Sequence, residues 1–586
     1  MCGIFGHTGL QNEKIENSHS ALHTLTHRGP DSWHFETKDG LYLGHRRLSI
    51  LDLSPNGRQP MQADGVYLTV NGEIYNYRAL RQELIENHQA DFVSQSDSEV
   101  LLHGYIHWGI ERLLDRVDGM FALSLFDSRI RKVILARDHA GIKPLYYGLR
   151  EGGLSWSSEL KALERFYGTS NLVIDKTAIY DFMTYLYVPC PKTLYRDIFK
   201  LEPGYFLTYD LGTQELEKTR YWSLAGLEPV GLDAANYETV IRAAIHGAVE
   251  EQLVSDVPVG FFLSGGIDSS IVCYEASRCI EQLSSFTIGN ADESVDEAPY
   301  ARMVAQQIGA DHHSKVFSSK IADKNFPLMR SFYDEPFGDV SALPTNEVCK
   351  LARERVTVVL TGDGGDELFG GYTHYRDAER IFDPVASTKA WVRPIVVALK
   401  NHAPLRLIAK KAQRYESKTL DDPIERWAKA KGGVLKSDRF KRTWAKKNGI
   451  SRDYDDYWYY RKHDDPGLSP KTRAQSLDFH TYLHDSVLTK VDRASMAVGL
   501  ETRVPFLSKK SIATAWSLPE DLRYRDGELK GVLKHLYTEA LPAEVLYRRK
   551  QGFAVGPIEK TARLYDRTKN VPRQILKQLF PEVFGA

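Results

Sequence analysis

Residues 257–270 read VPVGFFLSGGIDSS, and residues 356–372 read VTVVLTGDGGDELFGGY. Both open on apolar runs, Val257–Leu263 and Val356–Leu360, too short for core helices and without the in–out alternation of a half-exposed strand. A third run spans Ser285–Ile288, and helical patterns begin near Asn236 and Ser269. Buried strands alternating with helices predict an α/β arrangement with a parallel sheet covered on both faces. The turn after the first strand carries Ser264, Gly265, Gly266, Asp268 and Ser269. Two glycines let backbone approach an anion, and the following helix start offers free N–H groups. The Lys-Ser/Thr ending of a γ-phosphate loop is missing, and an ordinary structural turn is the plain alternative. The second turn crowds Asp363, Asp366 and Glu367 behind Gly362. Carboxylates beside a phosphate loop need cations, and Mg²⁺ is the usual one.

Working outward, the first 160 or so residues alternate short β-type runs with Gly, Asn and Asp punctuation, which predicts a sheet-rich domain of hairpins. Val66–Val70 is expected to end in a turn at Asn71-Gly72, and Phe121–Phe126 at Asp127-Ser128, with a helix over Arg78–Glu86. Residues 203–231 read as looser chain. The expected organisation is a first domain over 2–212, a connector over 213–235 and a second domain over 236–586, with 376–465 a helical elaboration.

The 586 residues exceed what one core supports. Lys+Arg 76 against Asp+Glu 77 gives no basic excess for nucleic acid. No secretory leader or membrane-length apolar run appears. Cys2, Cys190, Cys273, Cys279 and Cys349 show neither zinc pairing nor a disulfide framework. The expectation is a reduced, cytoplasmic protein without membrane or nucleic-acid partners.

Cys2 becomes the first residue if Met1 is removed. A thiol of pKa about 8.5 is only a few per cent ionised at neutral pH, and an adjacent α-amino group can serve as its base. Downstream stand His27-Arg28-Gly29-Pro30-Asp31, His45-Arg46-Arg47, Asn71-Gly72-Glu73-Ile74-Tyr75-Asn76 and Ser96-Asp97-Ser98-Glu99. Taken singly, Asn71-Gly72 reads as a hairpin turn, Arg47 as a surface arginine and Asp97 as a helix cap.

In this order behind Met-Cys-Gly-Ile-Phe-Gly, these motifs resemble the glutaminase domain of class II, N-terminal-nucleophile amidotransferases. The resemblance implies a four-layer α/β/β/α fold, with Cys2 as nucleophile, and Asn71 and the Gly72 N–H as oxyanion donors. Arg47, Glu73 and Asp97 would hold L-glutamine, and residues 27–31 would form a lid. The second half resembles ATP-pyrophosphatase synthetases, which implies a doubly wound, parallel-sheet α/β fold. That likeness implies Ser264, Gly265, Gly266, Asp268, Ser269 and Gly362 for ATP and pyrophosphate, and Asp268 and Asp366 for Mg²⁺. Asp363 would lie at the reacting intermediate and Lys550 against the departing phosphates, with Lys490 and Arg493 as further lining residues.

Together the halves resemble glutamine-hydrolysing asparagine synthetases. The implied reaction adenylates a carboxylate, L-aspartate by preference, and displaces AMP with ammonia carried inside the protein; a homodimer is compatible. Asp363 stands where that family commonly has glutamate. Asp334–Ser341 replaces its Thr-Thr-Ile-Arg-Ala-Ser run, and Ser508 replaces an aspartate. A sugar uronate is therefore the alternative acceptor, and a non-catalytic relative the alternative class.

Overall fold

The computed structural model describes residues 2–9, 14–150, 153–233, 235–382, 422–548 and 571–584. Its amino-terminal part holds two antiparallel six-stranded sheets. Across the first run Ile198–Lys200, Tyr146–Arg150, Gly153–Ser157, Gly3–His7, Leu41–Arg47 and Ser32–Lys38. Across the second run Leu216–Arg220, Tyr205–Asp210, Lys132–Arg137, Gly119–Asp127, Val66–Ile74 and Met61–Ala63. Successive side chains on a strand point to opposite faces, and Gly3–His7 uses both: Ile4 joins Leu43, Phe126, Leu135 and Leu207 between the sheets. Phe5 turns outward to Leu22, Tyr42 and Leu163, where helices Lys14–His23 and Leu160–Tyr167 cover the first sheet. Helices Tyr77–His88 and Ser98–Arg116 cover the second through Leu80, Leu84 and Leu101. The result is the expected four-layer order of helix, sheet, sheet and helix.

Two local expectations change. Asn71-Gly72 is no turn: the strand runs through to Ile74, with Asn71 opposite Ala122 and Gly72 opposite Phe121. Gly72 is required by close approach, since a Cβ there would lie 2.1 Å from the Met120 carbonyl oxygen. Within the stretch read as loose chain, Tyr205–Asp210 and Leu216–Arg220 pair as a hairpin and extend the second sheet. The outer strand, LEKTR, is mostly polar and half exposed, as an edge strand can be, so it carries no core signal.

The second part is built on a five-stranded sheet, all parallel, ordered Asp311–Phe317, Ser284–Asn290, Val259–Phe262, Val358–Leu360 and Glu501–Arg503. Chain order runs outward in one direction from Val259–Phe262 and then in the other. That strand is the topological switch point, and its carboxyl end is where such sheets bind ligands. Helices Tyr237–Gln252, Ile267–Ser277 and Ala342–Arg353 cover the faces. Beyond the sheet lie helices Pro423–Ala430, Arg439–Asn448 and Trp458–His463, and an eleven-residue π-helical segment, Asp478–Leu488. Residues 383–421, inside the expected helical elaboration, and Lys550 fall outside the described residues. Among the described residues no helix is long and apolar enough to cross a membrane.

Candidate active sites

Cys2 is buried at the entrance to strand Gly3–His7, and its backbone N–H donates to Asn71 Oδ1 at 3.0 Å. That bond orients the amide. Asn71 Nδ2 is then left buried, with no partner among the described residues. Burial pushes the Cys2 thiol above its ordinary value; Arg47 pulls it down and Glu501 adds to the rise.

Three further residues surround this point. Asp97 begins helix Ser98–Arg116 but makes no capping bond. Its carboxylate instead accepts the Ile74 N–H at 2.8 Å, and burial raises its pKa to about 6. Glu73, pushed well above the ordinary range by burial and by Asp97, lies 3.5 Å from Arg503. Arg47 folds onto the following loop and donates to the carbonyls of Ser54 at 2.9 Å and of Asp52. Residues 27–31, expected as a lid, are tied down: Asp31 accepts the Ser49 N–H at 2.7 Å, and His27 and Arg28 both reach Glu159.

The second site lies at the switch point. Gly265 has φ +68°, and a Cβ on it would lie 2.6 Å from the Ala301 nitrogen. Only glycine suits that turn. Ser264 Oγ and Ser269 Oγ are 3.1 Å apart, and Gly266 N–H donates to Ser264 Oγ at 3.3 Å, closing the loop before helix Ile267–Ser277. A cavity of about 190 Å³ joins Ser264, Asp268, Gly362, Asp363, Asp366 and Lys490. The two Gly-rich turns, nearly a hundred residues apart in sequence, thus form one site.

Its charges are arranged in pairs. Lys530 bridges the two carboxylates, bonding Asp268 and lying 2.5 Å from Asp366. Burial works to lower its pKa, but the two acids outweigh it and hold the ammonium charged. Asp363 accepts Thr361 Oγ1 at 2.7 Å; burial raises its pKa and Lys490 opposes the rise. Lys490 Nζ lies 3.3 Å from Asp339 and donates to Ser341 Oγ at 3.0 Å. Glu367 accepts Tyr372 Oη at 2.7 Å, and burial with Asp366 beside it raises its pKa to about 7. Among the described residues no cluster of three or more His, Cys, Asp or Glu is arranged to hold a metal. Asp268 and Asp366 are a two-carboxylate set instead.

The sequence reading missed Lys530, which stands in Asp526-Gly527-Glu528-Leu529-Lys530 outside any motif it used. It also missed how the halves interlock. Strand Glu501–Arg503 of the second sheet carries Arg503 to Glu73 and Glu501 into the field of Cys2. Arg493, expected as a lining residue, is buried and bonds Glu159, Asp334 and Tyr146.

Two family models match the chain: asparagine synthase over residues 240–583 and a glutamine amidotransferase domain over residues 1–222. Asparagine synthetase (glutamine-hydrolyzing) 1 of Bacillus subtilis is 32% identical over 565 residues, covering 95% of this chain and 87% of the relative. A Mycobacterium tuberculosis relative whose name carries the words asparagine synthetase (glutamine-hydrolyzing) is 34% identical over 556 residues, covering 91% and 83%. A Methanocaldococcus jannaschii relative named with the same words is 33% identical over 540 residues, covering 86% and 100%.

Proposed function

The chain belongs to the asparagine synthase family, with a glutamine amidotransferase domain, and is a glutamine-dependent ligase; from that premise we propose that it amidates L-aspartate at the site of Asp363 and Lys490. The observation that supports the glutaminase assignment best is the amide of Asn71, turned by the Cys2 N–H so that Nδ2 keeps its hydrogens for another acceptor. Attack of the Cys2 thiolate on the glutamine side-chain carbonyl puts negative charge on its oxygen. Asn71 Nδ2 and the Gly72 N–H are the proposed donors to it, a contribution of about 10²–10³ in rate for each. Collapse expels ammonia, and water then releases L-glutamate. Asp97, ionised above pH about 6, suits the α-ammonium of glutamine. Arg47 retains an electrostatic role toward the α-carboxylate through a loop that it also braces.

At the second site hydroxide would be a poor leaving group, so the acceptor carboxylate attacks the α-phosphorus of ATP and pyrophosphate departs. Ammonia then displaces AMP and forms the amide. Ser264, Gly265, Gly266, Ser269 and Gly362 are the proposed cradle, and Lys530 neutralises charge on the departing phosphates. Asp268 and Asp366, the carboxylates that Lys530 bridges, would hold Mg²⁺, which would supply charge neutralisation at the triphosphate. Leu48, Tyr75, Met120 and Ile142 share one apolar cluster with Val487 and Met496 across the domain boundary, which suits internal passage of neutral ammonia.

Aspartate is favoured because Lys490 and the acids Asp363 and Asp339 offer both signs of charge to an amino acid's polar end. One observation supports the second reading, a sugar uronate: Asp363 is shorter than glutamate and bonds its own Thr361, leaving room at the acceptor. Glutamine-dependent pyrophosphate release, screened over carboxylates, decides between them. Aspartate should yield asparagine, glutamate and AMP one for one, and Asp363→Glu should keep aspartate as substrate. No asparagine with either ammonia source, beside turnover of a uronate, would move the assignment.

A further inference from the structure

A cavity of about 330 Å³ lies where the glutaminase sheets, the chain after them and the π-helical segment meet. None of the residues proposed above for glutamine, ATP or acceptor lines it. Its size is that of a small-molecule site, and its walls differ in chemistry from end to end.

On one wall stand His139 and Glu202, brought together because Gly204 N–H donates to the Asp138 carbonyl at 2.9 Å. His139 Nε2 lies 2.7 Å from the Leu507 carbonyl. A carbonyl only accepts, so the ring hydrogen is on Nε2 and Nδ1 is a bare acceptor. Burial keeps this imidazole neutral, at a pKa of about 3. Nδ1 has no partner among the described residues, and neither has Glu202 Oε2, whose other oxygen pairs with Lys218 at 2.6 Å. Two buried acceptors without donors on one wall are uncommon in a folded protein.

The sides are aromatic. Trp222 packs against Phe479 with ring centroids 6.1 Å apart, and Trp516 also lines the cavity. At the exposed rim are Arg220 and Lys462, neither ion-paired among the described residues. Asp464, also on the rim, is taken up by Arg473 through two bonds of 2.6 Å. Asp465 is exposed and accepts the Gly467 N–H.

We propose that this cavity is a second ligand site, which takes a planar heteroaromatic ring bearing an N–H donor toward His139 and Glu202 and an anionic group toward Arg220 and Lys462. The ring would lie among Trp222, Phe479 and Trp516, where flat faces gain from stacking. A cationic group at the mouth would be repelled by both side chains.

Indole-3-propionate carries all three features and serves as the probe. Calorimetric titration of the full-length enzyme should show saturable binding of one equivalent. Replacing the probe's ring hydrogen by methyl, or its carboxylate by an ammonium as in tryptamine, should each weaken binding about ten-fold or more. Arg220→Ala with Lys462→Ala, both exposed positions, should weaken indole-3-propionate by a similar factor and leave glutaminase and ammonium-dependent rates without probe unchanged. Absence of saturable binding at millimolar probe overturns the site. So does binding that ignores the double substitution, or that is equal for the anion, its N-methyl form and tryptamine.

Discussion

Arg28 grips Asp492 across the domain boundary with two hydrogen bonds of 2.8 and 3.0 Å, while Nε of the same guanidinium donates to the Cys2 carbonyl at 3.1 Å. Both side chains are buried. Asp492 lies two residues beyond Lys490 on helix Thr489–Met496, so one short helix touches both sites. Breaking a buried pair by removing one charge typically costs about 3–5 kcal/mol. Asp492→Asn should lower the thermal unfolding midpoint and reduce glutamine-dependent synthesis more than ammonium-dependent synthesis. An equal fall in both rates would show that the pair stabilises without linking the sites.

Cys2→Ala should remove glutamine-dependent synthesis by more than roughly 10³-fold, since Cys2 is the proposed nucleophile that meets Asn71. Synthesis from added ammonium should survive. Glutamine hydrolysis at the wild-type rate in this variant contradicts the nucleophile assignment.

Asn71→Ala tests the amide separately from the thiol. Glutaminase kcat should fall about 10²–10³-fold, the usual effect of one lost oxyanion donor, with ammonium-dependent activity preserved. A change confined to KM would instead mean that the amide binds ground-state glutamine.

Lys530→Met leaves Asp268 and Asp366 facing each other without their bridging ammonium. ATP–pyrophosphate exchange should be lost in this variant, as in Asp268→Asn and Asp366→Asn, while basal glutaminase persists. Exchange at the wild-type rate in any one of the three removes that residue from the phosphate site.

As the proposed partner of glutamine's α-ammonium, Asp97 should give the glutaminase a pH limit. Its folded pKa of about 6 stands above the ordinary 3.8 because the carboxylate is buried. Glutamine's α-ammonium needs the ionised form, so KM should rise as pH falls through about 6, roughly ten-fold per unit below it. Steady-state glutaminase between pH 5 and 8 reads this limb directly, and Asp97→Asn should raise KM throughout and flatten it. The stability sign is opposite. A raised acid favours the protonated folded state, so its contribution is present below pH 3.8 and lost as pH rises to about 6.

The division between sequence and structure follows the range of the forces. Composition, apolar runs and glycine-rich turns are local, so VPVGFFLSGGIDSS by itself determined a strand, a tight glycine turn and a helix, and the ordered motifs behind Cys2 determined the glutamine amidotransferase domain. Asn71-Gly72 could not be read locally, because its glycine answers to the Met120 carbonyl on the neighbouring strand. Leu216–Arg220 and Glu501–Arg503 have little apolar content, and only sheet pairing makes them strands. Tertiary structure alone decided that Lys530 stands between Asp268 and Asp366, and that Arg28 and Arg503 cross the domain boundary. Those partners are separated in sequence by between 164 and 464 residues. A buried charge needs its counter-charge within a few ångströms in space, and sequence spacing carries no record of which distant group the fold brings there.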